Sequence, residues 1–254
     1  MDLKAFIFDV DGTLADTERD GHRPAFNAAF RELGLDWNWD VELYGKLLSV
    51  TGGKERIRYY VDAFRGDFAK PGDFSELVAE LHRVKTRHYT EMLANGKIPM
   101  RKGVKRLLHE AHDAGVRLAI ATTTTPDNVA ALLRYSLAQD AESWFEVIAA
   151  GDVVPAKKPA PDIYLVALRE MGLGAAECMA FEDSENGLKA SRGAGLPTLI
   201  TVNDYTRDHD FSGAIAVLSD FGEPEQPFRV FTGDAGGREY VDLELLKRWH
   251  ALST

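Results

Sequence analysis

Ala5-Phe6-Ile7-Phe8-Asp9-Val10-Asp11-Gly12-Thr13-Leu14 is the stretch that decides how the chain is read. Four consecutive apolar residues run straight into two carboxylates. An unbroken apolar run of this length reads as a strand covered on both faces, the habit of parallel sheets. In an open parallel sheet, ligands gather outside the carboxyl ends of the strands. Asp9 and Asp11 sit at such an end. Two residues apart, they would point to opposite faces of a regular strand, but beyond the strand end a bend can bring the second one back.

The same pattern recurs downstream. Residues 118–121 stop at Thr122, residues 147–150 at Gly151-Asp152, residues 179–181 at Glu182-Asp183, and residues 198–202 at Asn203-Asp204. Helical patterns separate these runs, as in Val104, Leu107, Leu108 and Ala111, closed by Gly115. Alternating strands and helices predict an α/β fold, a Rossmann-like parallel sheet core with helices on both faces. Residues 17–95 contain no strand run. Phe26, Ala29, Phe30 and Leu33 form one helical stripe, and Leu77, Leu81, Val84, His88 and Met92 another. The expected organisation is a core of residues 1–16 and 96–254 with an inserted all-helical cap, residues 17–95. Near the C-terminus, residues 228–231 and 239–241 around Gly233-Asp234-Ala235-Gly236-Gly237 suggest a hairpin, followed by a last helix from Leu243 to Leu252.

Composition closes off several classes. Lys plus Arg total 30 and Asp plus Glu 40, a formal charge of −10. That balance lacks the basic surface needed to grip nucleic acid. A single cysteine, Cys178, supports neither a disulfide framework nor a thiolate metal site. No apolar run approaches the roughly 20 residues of a membrane span, and the residues after Met1 do not read as a signal peptide. The expectation is a cytoplasmic monomer with no membrane or nucleic-acid partner.

The polar strand ends have a common chemistry. Crowded carboxylates repel one another, and a divalent cation relieves that repulsion; Mg²⁺ favours hard oxygen ligands together with water and phosphate. A carboxylate can attack phosphorus, and a second can serve as acid and then base. Lys and Thr can offset and orient a phosphoryl group in transfer. Asp9-Val10-Asp11-Gly12-Thr13-Leu14, Ile120-Ala121-Thr122, Lys158-Pro159-Ala160-Pro161-Asp162, and Phe181-Glu182-Asp183-Ser184 with Asn186-Gly187 resemble, in order, the four motifs of the haloacid dehalogenase-like hydrolases. The position of the helical insertion is similar to the cap of their β-phosphoglucomutase-like branch. The resemblance implies Asp9 as nucleophile, Asp11 as general acid and base, Thr122 and Lys158 on the phosphoryl group, and Mg²⁺ held by Asp9, the Asp11 carbonyl and Asp183, with Glu182 close by.

Within that branch, Thr51-Gly52-Gly53-Lys54-Glu55-Arg56-Ile57, Asp36-Trp37-Asn38-Trp39-Asp40, Tyr205-Thr206-Arg207 and Lys157-Lys158 resemble the CbbY-type group. That implies a phosphatase of xylulose 1,5-bisphosphate, a misfire product that inhibits Rubisco. A bisphosphate needs a second anion site, for which Gly53, Lys54 and Arg56 are the candidates. Glu18, His22 and Arg23 are candidates for the sugar, and Thr124 for a phosphate or sugar contact. His22 follows Thr17 by five residues, where the resemblance implies four. A phosphosugar mutase would use the same motifs, and a phosphosugar-binding protein without activity would keep the fold. A dehalogenase is disfavoured, because a halide leaving group needs no proton from Asp11.

Overall fold

The computed structural model describes residues 2–50 and 52–253. Thr51, quoted above with the cap motif, lies outside the described residues. The chain forms two compact units, one of residues 2–16 and 99–253, the other of residues 17–98. The second crossing falls at Ile98/Pro99, three residues later than expected from sequence. The reason is local: Asn95-Gly96 ends the preceding helix, but Ile98 is still buried within the helical unit, close against Gly21.

The first unit is built on one sheet of seven strands among the described residues: β1 (Ala5–Phe8), β2 (Arg117–Thr122), β3 (Phe145–Ala150), β4 (Cys178–Glu182), β5 (Thr198–Thr201), β6 (Ala216–Leu218) and β7 (Val230–Thr232). Their order is β3-β2-β1-β4-β5-β6-β7. All neighbours are parallel except β6 and β7. The chain moves outward from β1 through β2 to β3 and then returns to lay β4 on the other side of β1. That reversal is the topological switch point, where a crevice opens at the strand ends.

Both faces of β1 are buried, as the unbroken apolar run required. Ala5 and Ile7 join a cluster with Ala119, Ala121, Ala149 and Ala180, packed against Ile163, Tyr164, Ala167 and Leu168 of the helix Asp162–Met171. Phe6 and Phe8 turn the other way, onto Phe181. The Phe8 and Phe181 rings stack at 4.3 Å, and Phe221 meets Phe181 edge-on. Emptying one such ring site costs about 3–5 kcal/mol. Cys178 is a small buried hydrophobe at the start of β4.

Two C-terminal features differ from the sequence reading. Among the described residues, segments 228–231 and 239–241 form no strand ladder with each other; a single bond, from the Phe228 N–H to the Glu239 carbonyl at 3.0 Å, links them. Instead β7 pairs antiparallel with β6, a strand the sequence reading had not singled out, and the chain reaches the final helix through a loop. Three residues of β6 are too short to give a periodic signal. The glycines in the loop supply turns that are not hairpin turns.

In the helical unit, a π-helical turn at Glu18–His22 leads into α1 (Arg23–Glu32), followed by α2 (Val41–Leu47), α3 (Gly53–Phe64) and α4 (Phe74–Ala94). The first unit then adds α5 (Val104–Asp113), α6 (Pro126–Leu132), α7 (Asp162–Met171), α8 (Glu185–Gly193) and α9 (Leu243–Ser253). Among the described residues, none of these is long and apolar enough to cross a membrane.

The Asp36-Trp37-Asn38-Trp39-Asp40 segment is core and cap in one. Trp39 packs on Phe26 and Phe30 at 4.7 and 4.8 Å. Asn27 exchanges two hydrogen bonds with the Trp39 backbone, at 2.8 and 2.7 Å. Asp40 caps α2 by accepting from the Leu43 N–H at 2.8 Å. The buried stripe of α4 is Val78, Leu81, Val84, Lys85, Tyr89 and Leu93. Leu81 and Val84 of the expected stripe lie on it, while Leu77, His88 and Met92 sit one position to its side and are half-buried. The stripe contains a lysine, which an apolar pattern search passes over.

Candidate active site

The carboxyl ends of β1, β2 and β4 converge as the switch point requires. Asp9 continues the β1 ladder, its N–H donating to the Phe181 carbonyl at 3.0 Å. The backbone then winds tightly. The Thr13 and Leu14 N–H groups return to the Val10 carbonyl, and the Gly12 N–H donates to Ala15. Gly12 has φ +88°, and a Cβ there would overlap the Asp183 carboxylate. Only glycine lets this turn pass so close to Asp183. Asp11 lies on that turn and is half-buried.

Lys158 is the electrostatic centre. Its ammonium is buried and donates to Asp9 Oδ1 at 2.6 Å, Glu182 Oε1 at 2.6 Å and the Ala121 carbonyl at 2.9 Å, which uses all three of its protons. Glu182 Oε1 also accepts from the buried Tyr164 hydroxyl at 2.6 Å. Burial works to lower the Lys158 pKa, but Asp9 and Glu182 outweigh it and raise it.

One ammonium does not neutralise this many carboxylates. Asp9, Glu182 and Asp183 each bring an oxygen to within 4.8 Å of the others, and all three residues are buried. Burial pushes the Asp9 carboxyl up to about 7; Glu182 and Asp11 push the same way and Lys158 opposes them. Burial, then Asp9 and Glu182, raise Asp183 well above the usual carboxylate range. Hard, dry oxygens with surplus negative charge are the donor set of a divalent cation site, and the residues present fit one.

Thr122, at the end of β2, is buried, and its Oγ1 accepts from the Thr124 N–H at 3.3 Å. Thr124 is buried beside it. The core residues anticipated from sequence therefore gather at adjoining strand ends. Sequence reading missed Tyr164, Arg101 and Asn203. Tyr164 lies three residues after Pro161 on an otherwise ordinary helix face. Arg101 lies in no strand-end motif, yet its guanidinium donates to the carbonyls of Gly12, Thr201, Val202 and Ser219 and pairs with Asp16.

The candidate residues of the helical unit fall into separate groups. Glu18 accepts from the Tyr44 hydroxyl, which in turn accepts from Arg56 Nη1 at 2.7 Å; Arg56 and Glu18 are 3.5 Å apart. Arg56 is thus turned inward and buried. Lys54 is exposed. At Gly53, a Cβ would come within 2.9 Å of the His82 ring, so that glycine also has a packing role. Arg23 donates to the Trp39 carbonyl at 3.3 Å. His22 is buried, its Nδ1 2.8 Å from the Nζ of Lys85.

The five-residue interval from Thr17 to His22 has a structural explanation. The Arg23 N–H reaches the Glu18 carbonyl, an i to i+5 bond that absorbs one extra residue as a π-turn. Gly21 within it is close against Tyr89 and Ile98, where a Cβ would not fit.

Comparison with known proteins agrees with this geometry. A family model for haloacid dehalogenase-like hydrolases matches residues 3–195. The chain is 47% identical to protein CbbY of Cupriavidus necator, over 98% of this chain and 97% of that one. It is 27% identical to a phosphorylated carbohydrates phosphatase of Thermotoga maritima, over 90% of this chain and 98% of that one. A crystal structure of a CbbY variant from Rhodobacter sphaeroides, in complex with xylulose 1,5-bisphosphate, superposes with a TM-score of 0.79 at 47% identity, covering 86% of this chain and 94% of that one. The chain belongs to the haloacid dehalogenase-like hydrolases, as a phosphatase of their CbbY-type group.

Proposed function

We propose that the chain is a Mg²⁺-dependent phosphatase of a pentulose bisphosphate, xylulose 1,5-bisphosphate, working through an aspartyl-phosphate on Asp9. The observation that carries this is the buried set of Asp9, Lys158, Glu182 and Asp183 at the switch point of the sheet. Asp9 and Asp183, with the Asp11 carbonyl, would hold the cation, and Glu182 would stand beside them. When bound, the cation supplies positive charge that keeps Asp9 ionised and offsets the phosphoryl oxygens.

The chain's own residues carry the steps. An Asp9 carboxylate oxygen attacks phosphorus, and the bond from phosphorus to the sugar oxygen breaks. Asp11 gives its proton to the departing alkoxide. Asp11, now a carboxylate, takes a proton from water as that water attacks the phosphorus. The bond to Asp9 breaks and inorganic phosphate leaves. Lys158 holds Asp9 in position and offsets charge on the transferring group. The Thr122 hydroxyl donates to a phosphoryl oxygen, with Thr124 a further contact. Glu18, His22, Arg23, Gly53, Lys54 and Arg56 are the candidates for the sugar and the second phosphate.

The substrate reading is supported by the xylulose 1,5-bisphosphate complex of the CbbY variant. The test is inorganic phosphate release on a panel of mono- and bisphosphorylated pentoses and hexoses with Mg²⁺. The expected result is strong preference for xylulose 1,5-bisphosphate. Conversion of glucose 1-phosphate to glucose 6-phosphate with little phosphate released would make the chain a mutase. Substantial turnover by Asp9→Asn would exclude the aspartyl-phosphate route.

A further inference from the structure

Asn203 lies two residues after the end of β5, and its side chain touches the candidate cation site. Its Nδ2 donates to Asp183 Oδ2 at 2.6 Å. The amide cannot be turned round, because its Oδ1 accepts from the Tyr205 N–H at 2.9 Å, and a backbone N–H only donates. The Asn203 N–H donates to Thr206 Oγ1 at 3.0 Å, so the turn is tied from both sides. This gives a physical reading of the Asn203-Asp204-Tyr205-Thr206 segment: it builds a turn that presents one amide NH₂ group to one carboxylate.

The surroundings of that pair are equally determined. The Gly12 turn passes close to both Asp183 Oδ2 and the Asn203 amide, so that a Cβ at residue 12 would meet either. Arg101 donates to the Gly12 carbonyl and, at 2.6 Å, to the carbonyl of Val202, the residue before Asn203. One planar guanidinium therefore ties the Gly12 turn to the segment that carries Asn203, the two backbone stretches packed against Asp183.

We infer that Asn203 is a positioning residue for the cation site, fixing the plane of the Asp183 carboxylate, with Arg101 holding the frame in which it does so. Partners of this kind, one shell out from a metal ligand, typically govern affinity by 10–100-fold. The inference rests on the proposed function only in taking Asp183 as a ligand.

The test is cation affinity of the full-length protein, freed of metal with a chelator and titrated with Mg²⁺ by calorimetry and with Mn²⁺ by electron paramagnetic resonance. The variant is Asn203→Ser, whose hydroxyl can still accept from the Tyr205 N–H but is too short to reach Asp183. Its Kd for both ions is expected to rise about tenfold or more, while the unfolding midpoint of the metal-free protein stays near that of wild type. A Kd within twofold of wild type would overturn the inference. If Asn203→Ser does not fold, Arg101→Lys decides: a several-fold weaker Kd supports the frame, and an unchanged one refutes it. Wild-type protein that binds neither ion would instead remove the cation reading itself, a result distinct from equal binding by wild type and variant.

Discussion

Tyr164 donates its hydroxyl proton to Glu182 Oε1 at 2.6 Å, the same oxygen that receives the Lys158 ammonium. A carboxylate held twice on one oxygen is fixed in direction, and through Lys158 that direction is passed to Asp9. Tyr164→Phe removes one hydrogen bond to a buried charged group. The expected cost is about 1.5–3 kcal/mol of stability, measured by urea unfolding. Phosphatase turnover is expected to fall about tenfold, the lower end of what a supporting partner of a polar site contributes. Unchanged stability and turnover would show that Glu182 is held without Tyr164, by Lys158 and the Asp183 N–H.

Gly187 sits inside α8, where helix propensity favours alanine by about 1 kcal/mol. A Cβ at that position would overlap the Glu182 carboxylate. The carboxylate is held in place by Lys158 and Tyr164. The clash should outweigh the propensity. Gly187→Ala is expected to destabilise the protein by about 1–3 kcal/mol, as overpacking does, and to cut turnover. A variant more stable than wild type would mean Glu182 moves freely.

Arg101 reaches acceptors on four carbonyls and on Asp16 with one flat fork. A lysine keeps the charge but cannot reproduce that geometry. Arg101→Lys leaves buried carbonyls short of donors, at about 1–3 kcal/mol each. The expected outcome is a fall of at least about 2 kcal/mol in unfolding free energy, read by urea titration. Recovery of wild-type stability by lysine would show that charge, not the fork, is what the site requires.

His82, on α4, gives the helical unit a pH dependence. Burial, then the positive charges of Lys85 and Lys54, push its pKa down from 6.5 to about 4, with Glu55 opposing them. The native state therefore holds His82 neutral while the unfolded chain protonates it. Stability from this group is complete above pH 6.5 and is lost as pH falls towards about 4. A fully buried imidazole would contribute a slope of about 1.4 kcal/mol per pH unit. His82 is partly exposed, so solvent screening leaves only a fraction of that. His82→Gln is expected to flatten the loss of stability between pH 7 and pH 5 in urea titrations. An identical pH profile would remove His82 as its source.

Much of the candidate site was legible because strand ends announce themselves. An apolar run that stops at Asp9, at Thr122 or at Glu182-Asp183 fixes which residues lie at the mouth of a parallel sheet. The helical unit was legible as a whole but not in detail. Leu81 and Val84 of the α4 stripe were legible, but its ends fall one position away, since buried Lys85 interrupts the apolar pattern. The C-terminal hairpin was wrong because β6 and β7 are each only three residues long.

The sequence by itself determined the layered α/β class, the inserted helices and the carboxylates at the strand ends, since each rests on local periodicity and on residue chemistry. Only the tertiary structure decided which carboxylate is restrained by which partner. Lys158 is 149 residues from Asp9 in the chain, Tyr164 is 18 from Glu182, and Asn203 is 20 from Asp183. Such pairs depend on strand order and on the return of the chain beside β1. It also decided that the extra residue before His22 is taken up by a π-turn, because only the packing of Gly21 beside Tyr89 and Ile98 leaves room for it.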